Sequence, residues 1–262
     1  MKFLIQHNLM AESQLVAVGE AVKPYPHQFV GVIPFSRELT SEEPVVGTDY
    51  IPYGSTLMST IGLDLGWKGL HFDLDKFNYE ASVENRNDML NGDGVIVTVE
   101  AAITFMELSQ VKEWFIRPSL DLKHFAGQVI EPEECAAWLR SAMECDSSGT
   151  YKMDKDMKIV ISAPRNIQAE WRWFVVDGVV VDGSMYRSHG QLIKQHETDP
   201  DVIAEAQTFA DKWLPNQNVV MDLALVDDEL KVIEFNCINC SGFYNHDIPK
   251  IFKALYEEST KC

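Results

Sequence analysis

The chain has 262 residues, and its 40 acidic side chains against 22 Lys and Arg give a formal net charge of −18 at pH 7. A field of that sign repels phosphate backbones and anionic lipid surfaces, so the composition argues against nucleic acid and membrane partners. Hydrophobic residues make up 46% of the chain, which is typical of a folded globular protein and excludes disordered and low-complexity classes.

The apolar runs and the cysteines indicate the cellular compartment of the protein. No apolar run approaches the roughly 18 residues that a membrane span needs, and residues 1–8 turn polar too early for a signal peptide. The cysteines form an odd and sparse set, which indicates reduced thiols and not a disulfide scaffold. We therefore expect a cytoplasmic protein. The cysteines are Cys135, Cys145, Cys237, Cys240 and Cys262.

Residues 1–108 have the short apolar runs and turns of a small α/β domain. Residues 29–34 predict a buried strand that ends at a proline. Ser55 is placed as the N-cap of a short helix. The run 94–99 fits either a strand or the start of an apolar helix, because a short apolar run does not distinguish the two.

Residues 109–163 predict two strands and a helix. The run 114–118 predicts a strand that stops at a proline. Pro132, followed by two glutamates, is typical of a helix start. The apolar run 158–163 predicts a second, buried strand.

Two β-hairpins dominate residues 164–262. The first has Asp177-Gly178 between two runs rich in Val and aromatic residues, and this dipeptide favours a type I′ turn because glycine tolerates the positive φ that the turn needs. Apolar residues at spacings of three and four then predict a helix from Asp199 to Trp213. A second hairpin turns at residues 227–229, and an amphipathic helix ends the chain.

Two acids and an amide mark the second hairpin. Asp222 lies on its first strand, and Glu234 and Asn236 lie two residues apart on its second strand, so the latter two share a face. Carboxylate and amide oxygens are hard ligands suited to Mg²⁺. The alternative is a pair of solvated acids on an exposed edge. The apolar neighbours of these residues favour a buried hairpin, in which carboxylates need a cation or hydrogen-bond donors.

Basic residues precede that hairpin on other predicted strands. Arg172 lies two residues after Glu170, so both face one side, and Arg187 ends the strand that pairs with theirs. Arg117 and Lys123 lie in and after the strand at 114–118. Such cations opposite a pair of carboxylates are typical of a site for a Mg²⁺-nucleotide.

With these residues in order, the chain resembles the ATP-grasp family, whose ligases carry an Asp on one strand and Glu-x-Asn on the next. The resemblance covers residues 110–247. Within the family, the chain is similar to the glutamate ligases that modify ribosomal proteins and to short phage and bacterial ATP-grasp proteins. It implies an α+β fold in which two lobes, residues 109–163 and 164–262, sandwich ATP. A small α/β domain, residues 1–108, precedes these lobes in the chain.

The resemblance also implies roles for individual residues, with ATP and Mg²⁺ as cofactors. Arg117, where the family has lysine, and Lys123 would hold the phosphates. The backbone of Ser162 and Ala163 would contact adenine, with Glu170 on the ribose or on Arg172. The metal ligands would be Asp222, Glu234 and Asn236; Arg172 and Arg187 would neutralise the transferred group; and Asn239, Ser241 and Tyr244 would line the substrate pocket.

The activity that the resemblance implies is an ADP-forming carboxylate–amine ligase that works through an acyl phosphate, with an amino acid or peptide as substrate. Two alternatives stay open: a small-molecule kinase on the same scaffold, and a nucleotide-binding module without catalysis. The sequence does not identify the carboxylate, the amine or the oligomeric state.

Overall fold

The structure is a computed structural model that describes residues 1–8, 10–34, 36–73, 75–120, 125–144 and 153–261. Lys123, Cys145 and Cys262 lie outside the described residues. The chain forms two units. The split unit consists of Met1–Asp73 and Ile167–Cys262, and the continuous unit consists of Leu74–Asn166.

The strands and helices are numbered in chain order. The strands are β1 (Lys2–Gln6), β2 (His27–Val32), β3 (Leu39–Thr40), β4 (Tyr50–Tyr53), β5 (Val95–Thr98), β6 (Trp114–Pro118), β7 (Gln128–Ile130), β8 (Lys158–Ser162), β9 (Ala169–Val176), β10 (Val179–Ser188), β11 (Gln191–His196), β12 (Val219–Val226) and β13 (Glu229–Asn236). The helices are α1 (Glu12–Val22), α2 (Thr56–Leu65), α3 (Tyr79–Asn85), α4 (Val99–Leu108), α5 (Pro132–Glu144), α6 (Pro200–Ala210) and α7 (Ile248–Ser259), with a 3-10 helix at Ile238–Cys240.

The split unit contains two sheets. One has the order β3-β2-β1-β4, with β1 parallel to both of its neighbours, and the other has the order β11-β10-β9-β12-β13 and is antiparallel throughout. Buried apolar side chains of both sheets and of α1 and α7 form one core, in which Phe3 of β1 packs edge-on against Phe252 of α7 and Phe174 of β9 belongs to the same cluster. This core fixes the second half of β9, and Arg172 lies in the first half of the same strand.

The continuous unit is a sheet of order β5-β8-β6-β7 with α4 and α5 packed on one face. All its strand pairs are antiparallel. The predicted boundary at residue 108 differs from this division, because β5 pairs with β8 along its whole length and α4 packs in the same core as β6 and β8. Residues 74–108 therefore belong with residues 109–166.

Most predicted elements are confirmed, with differences at their ends. Ser55 caps α2, and the ambiguous run at 94–99 is both a strand and a helix start, with Thr98 as the N-cap of α4. The helix that begins at Asp199 ends at Ala210, before Trp213. The predicted elements do not include the strands β1, β3, β7 and β11 or the helices α1 and α3. No helix in the described ranges combines the length and hydrophobicity needed to cross a bilayer.

Candidate active site

The register of the antiparallel sheet brings the predicted charged residues onto one face. Arg172 on β9 lies opposite Asp222 on β12, and Asp222 lies opposite Glu234 on β13. Directly opposed residues on neighbouring strands point to the same face, and so do residues two apart on one strand. Glu170 and Asn236 therefore share this face, and the sequence prediction of a common polar surface agrees with the register.

Arg172 and Asp222 form a bidentate ion pair. The Arg172 Nε donates to Asp222 Oδ1 at 2.9 Å and its Nη2 donates to Oδ2 at 2.7 Å. The Asp222 side chain is 3% exposed and that of Arg172 is 13% exposed. Burial raises the pKa of Asp222, the Arg172 charge opposes that rise, and the charge of Glu234 adds to it. Burial disfavours the Arg172 charge, yet Asp222 holds the arginine pKa above its usual value.

Asn236 joins the two carboxylates. Its Nδ2 donates to Glu234 Oε1 at 3.0 Å and lies 3.3 Å from Asp222 Oδ2. A half-turn of the amide replaces this nitrogen with Oδ1, which gives two carboxylates and one amide oxygen within reach of one another. This donor set fits Mg²⁺, which proteins usually hold with one or two carboxylates while water and substrate phosphates complete the shell. Within the described ranges, no set of three or more His, Cys, Asp or Glu is placed to bind a metal.

Glu170 and Arg187 form a second pair beside the first. The buried Glu170 carboxylate accepts from the Tyr186 hydroxyl at 2.7 Å and from Arg187 Nη1 at 3.2 Å. A β-bulge between Met185 and Arg187 puts both donors on this face, because it adds one residue to β10 against β9. The Arg187 side chain is 48% exposed. It is a tethered cation that still faces solvent.

Tyr244 reaches the cluster from the segment that follows β13. Its ring stacks on Tyr186 with centroids 4.6 Å apart and an angle of 11°. His246 fixes this segment, because its Nδ1 accepts from the Tyr244 backbone N–H at 3.1 Å. The His246 Nε2 therefore carries the ring proton and donates to the Arg172 carbonyl at 3.1 Å. Burial lowers the pKa of His246 to about 4, so the ring is neutral at pH 7.

Asn239 and Ser241 occupy different surroundings. Asn239 Nδ2 donates to the carbonyls of Pro52 and Gly69, at 2.7 and 3.0 Å. The Ser241 Oγ donates to the Cys237 carbonyl at 2.8 Å. Both residues are at most 2% exposed. These contacts give Asn239 and Ser241 a structural role, and Asn239 connects the 3-10 helix to the sheet that contains β4. The structure does not bring the polar side-chain atoms of these two residues to the face of Arg172.

The continuous unit carries the remaining predicted residues. Arg117 lies opposite Val160 and Ser162 lies opposite Phe115, so Arg117 and Ser162 share the sheet face that α4 and α5 leave uncovered. The Arg117 guanidinium carbon is 5.3 Å from the Tyr79 ring centroid. The Ser162 Oγ is buried and has no hydrogen-bond partner in the described part of the chain. Ala163 follows directly and is exposed.

Residues 76–255 match the family described as the ATP-grasp domain, R2K clade family 3. The chain belongs to this ATP-grasp family. The match covers most of the chain and includes every residue of the polar face. A search of curated protein sequences gave no match.

Solved structures share the ATP-grasp fold at low sequence identity. The D-cycloserine synthetase DcsG is 12% identical with a TM-score of 0.64, over 99% of this chain and 100% of that one. D-alanine–D-alanine ligase from Bacillus anthracis is 12% identical with a TM-score of 0.60, over 99% and 97%. The ATP-grasp ligase PsnB, complexed with minimal precursor, Mg and ADP, is 11% identical with a TM-score of 0.55, over 99% and 98%.

Two residues of this ATP-grasp site are absent from the sequence prediction. Tyr186 stands in the strand that is predicted to end in Arg187, but simple alternation along β10 does not bring both residues to one face. His246 is a possible base on the sequence alone, but a lone histidine near a turn is more often a surface residue. The sequence does contain one indication that His246 belongs to the site, because it lies two residues after Tyr244 in the segment that follows Glu-x-Asn. Its hydrogen bond to the Arg172 carbonyl depends on tertiary structure.

Proposed function

We propose that this protein is an ATP-dependent carboxylate–amine ligase that forms an acyl phosphate and ADP, with an amino acid or a peptide as substrate. One observation carries the proposal: Arg172, Asp222, Glu234 and Asn236 form a hydrogen-bonded cluster, with Asp222 and Asn236 buried, on one sheet face of an ATP-grasp protein. The solved structures that share the fold support it, since they include a synthetase and two ligases, one of them complexed with Mg and ADP.

Charge supports the assignment of a divalent cation to this cluster. Asp222 and Glu234 carry two negative charges and Arg172 carries one positive charge, so the buried group has an excess negative charge. A cation held by Asp222, Glu234 and Asn236 would offset it. When bound there, Mg²⁺ supplies charge neutralisation for the phosphates of ATP. Arg172 favours the ionised form of Asp222 and orients the carboxylate before the cation binds.

Arg187 is the residue best placed to act on the transferred group. Its guanidinium is held at one nitrogen by Glu170 and remains half-exposed on the same face as Asp222. Charge that develops on phosphate oxygens during transfer is stabilised by such a cation without reorganisation of the protein. Glu170 then acts by orienting Arg187, as well as by the ribose contact that the family resemblance implies.

The continuous unit supplies the residues proposed for nucleotide binding. Arg117 offers a planar guanidinium that suits phosphate oxygens, and Lys123 is a second proposed cation. The backbone of Ser162 and of the exposed Ala163, at the end of β8, is proposed to hydrogen-bond the base. The buried Ser162 Oγ has no hydrogen-bond partner among the described residues, and a bound ligand is one way to satisfy such a group.

The test is product analysis with ATP and Mg²⁺ over a panel of amino acids and short peptides. Amine-dependent release of ADP and phosphate, with an amide product in the mass spectrum, supports the ligase. ADP with a stably phosphorylated product, and no free phosphate, would indicate a kinase. ATP binding without turnover across the panel would indicate a binding module. Glu234→Gln is the control for metal-dependent turnover, because it removes one charge at constant volume.

A further inference from the structure

A stacked pair of tyrosines lies beside the Arg172 guanidinium. The Arg172 Cζ is 5.2 Å from the Tyr244 ring centroid and 5.9 Å from the Tyr186 centroid. The two rings come from distant parts of the chain, the bulge of β10 and the segment after β13. Each is fixed independently: the Tyr186 hydroxyl donates to Glu170, and the Tyr244 backbone donates to His246.

The pair of rings is important because Arg172 and a divalent cation would compete for the same Asp222 carboxylate. Both of its oxygens accept from Arg172 in this structure, while the proposed function gives the same carboxylate to a divalent cation. An arginine as buried as Arg172 is costly to leave without a partner. The face of an aromatic ring provides a partner for guanidinium that does not compete for metal ligands.

We propose that Tyr186 and Tyr244 are positioning residues that form a platform for the Arg172 guanidinium, so that Arg172 stays in the site when Asp222 turns to a divalent cation. The inference rests on the proposed function, because it takes Asp222 as a metal ligand. A further hydrogen bond, from Arg172 Nη1 to the Gly242 carbonyl at 3.3 Å, holds the guanidinium on the same side. The rings act through Arg172 and need no contact with substrate.

The first test needs neither metal nor turnover. Asp222→Asn removes the ion pair at constant volume, and the Arg172 Nε–H signal is followed by NMR after assignment by its loss in Arg172→Lys. With the platform intact, we expect hydrogen exchange at Nε to stay slow. Adding Tyr244→Leu should accelerate this exchange by about three- to thirtyfold, the range that a cation–π contact implies. Equal exchange rates in the two variants would overturn the platform.

The matched controls separate the ring from general stability. Tyr244→Phe keeps the ring and should exchange like its parent. Tyr25→Leu breaks another tyrosine pair, since Tyr25 and Tyr256 also have centroids 4.6 Å apart. It should leave the Arg172 signal unchanged. If Tyr244→Phe behaved like Tyr244→Leu, or if Tyr25→Leu had the same effect, the role of the ring beside Arg172 would be refuted.

The second test uses Mn²⁺ with a non-hydrolysable ATP analogue. We expect Tyr244→Leu to weaken Mn²⁺ binding by about threefold or more, because Arg172 then loses its alternative partner and holds Asp222 more firmly. Tyr244→Phe should restore the wild-type affinity. Unchanged affinity in Tyr244→Leu contradicts the inference. Absence of Mn²⁺ binding in the wild-type protein would instead reject the metal assignment of the proposed function, and the exchange comparison then judges the platform by itself.

Discussion

Asp222 and Glu234 lie on neighbouring strands, and Arg172 donates to both oxygens of Asp222. A glutamine at position 234 keeps the volume of the glutamate and an oxygen that can accept from the Asn236 amide, so Glu234→Gln removes the charge with little change in packing. We expect Glu234→Gln to lower kcat by about a hundredfold or more, the scale of a lost electrostatic contact in an active site. Steady-state release of ADP at saturating Mg²⁺ measures this.

The matched control for that variant is Glu229→Gln. Glu229 begins the same strand, but its carboxylate is exposed and pairs with Lys231. Its replacement should leave kcat unchanged. A wild-type rate in Glu234→Gln would show that the cluster does not hold the metal.

Replacing Arg187 tests whether this residue contributes to the rate of phosphoryl transfer or to the affinity for ATP. The Arg187 side chain is half-exposed, and the buried Glu170 keeps the Tyr186 hydroxyl as a donor, so loss of Arg187 should cost about 1–2 kcal/mol of folding stability. If it acts on charge that develops during phosphoryl transfer, Arg187→Ala lowers kcat by about a hundredfold and leaves the ATP Kd within about threefold. Calorimetric titration of ATP and phosphate release on the same variant measure both. Affinity lost in proportion to rate would assign Arg187 to ground-state binding.

Arg172 should behave differently from Arg187 because its own side chain is only 13% exposed and donates to both oxygens of its buried partner. Arg172→Ala leaves the Asp222 carboxylate without its bidentate donor, and breaking such a buried pair typically costs about 3–5 kcal/mol. We expect a large loss of stability in urea unfolding, against a small one for Arg187→Ala. Similar midpoints for the two variants would mean that water or Asn236 replaces the arginine without cost.

At the scale of elements, the two hairpin turns differ in how well their residues suit the backbone. Asp177 and Gly178 have φ of 54° and 74°, whereas Asp227 and Asp228 have φ of 52° and 63°. Both turns need positive φ, which glycine adopts without the cost that a Cβ brings. We expect Asp228→Gly to stabilise the protein by about 0.5–1 kcal/mol in urea unfolding.

The reciprocal change in the first hairpin is the control. Gly178→Asp introduces a Cβ where φ is 74°, so it should destabilise by a similar amount. The hydrogen bond from Asp228 N to Gln168 Oε1 survives in Asp228→Gly, because only the side chain of residue 228 changes. A loss of stability in Asp228→Gly would mean that the aspartate side chain supports its own turn.

The hairpins and their register are the part of the fold that the sequence predicts best. Asp177-Gly178 indicates a turn type by itself, and alternation then puts Arg172 on one face with Glu170. The direct pairing of Arg172 with Asp222 is not predicted, since it depends on which edge of the first hairpin meets the second. Local patterns carry no information on that choice.

Bulges and buried polar contacts limit the prediction of the site in the same way. The bulge at Tyr186 reverses the alternation after Met185, and nothing in the local sequence distinguishes it from a regular strand. The predicted substrate residues Asn239 and Ser241 are polar and follow the metal motif, which is why they suggest a pocket. Their hydrogen bonds to the backbone of Pro52 and Cys237 satisfy them within the fold.

For the whole molecule, the sequence predicts the ATP-grasp family and its α+β fold but not the division into units. The predicted boundary at residue 108 depends on a change in local pattern. In the structure, strand pairing decides which residues belong to one unit. The strand β5 pairs with β8, although α4, β6, β7 and α5 lie between them in the chain. Similarly, α7 packs with α1 and β1 from the other end of the chain. Such long-range pairings are set by complementary surfaces that local sequence patterns do not contain.

Two partly buried histidines of the split unit, His71 and His246, make its stability depend on pH. Burial lowers the pKa of His71 and of His246 to about 4 from the usual 6.5. As pH falls, the unfolded chain therefore takes up these protons first, so the stability is complete above about pH 6.5 and is lost progressively toward pH 4. For His246 alone the loss is about 3 kcal/mol. Asp222 contributes with the opposite sign, because its pKa is raised and the folded state binds its proton more firmly.

A comparison of His246→Gln with the wild type isolates the histidine, because Asp222 and His71 are common to both proteins. Glutamine keeps one acceptor and one donor but does not titrate. We expect the variant to lose less stability than the wild type between pH 6.5 and pH 4, as measured by urea unfolding at several pH values. Parallel profiles for His246→Gln and the wild type would contradict the assignment. The same protonation removes the acceptor of the Tyr244 N–H, so activity should fall over the range in which His246 titrates.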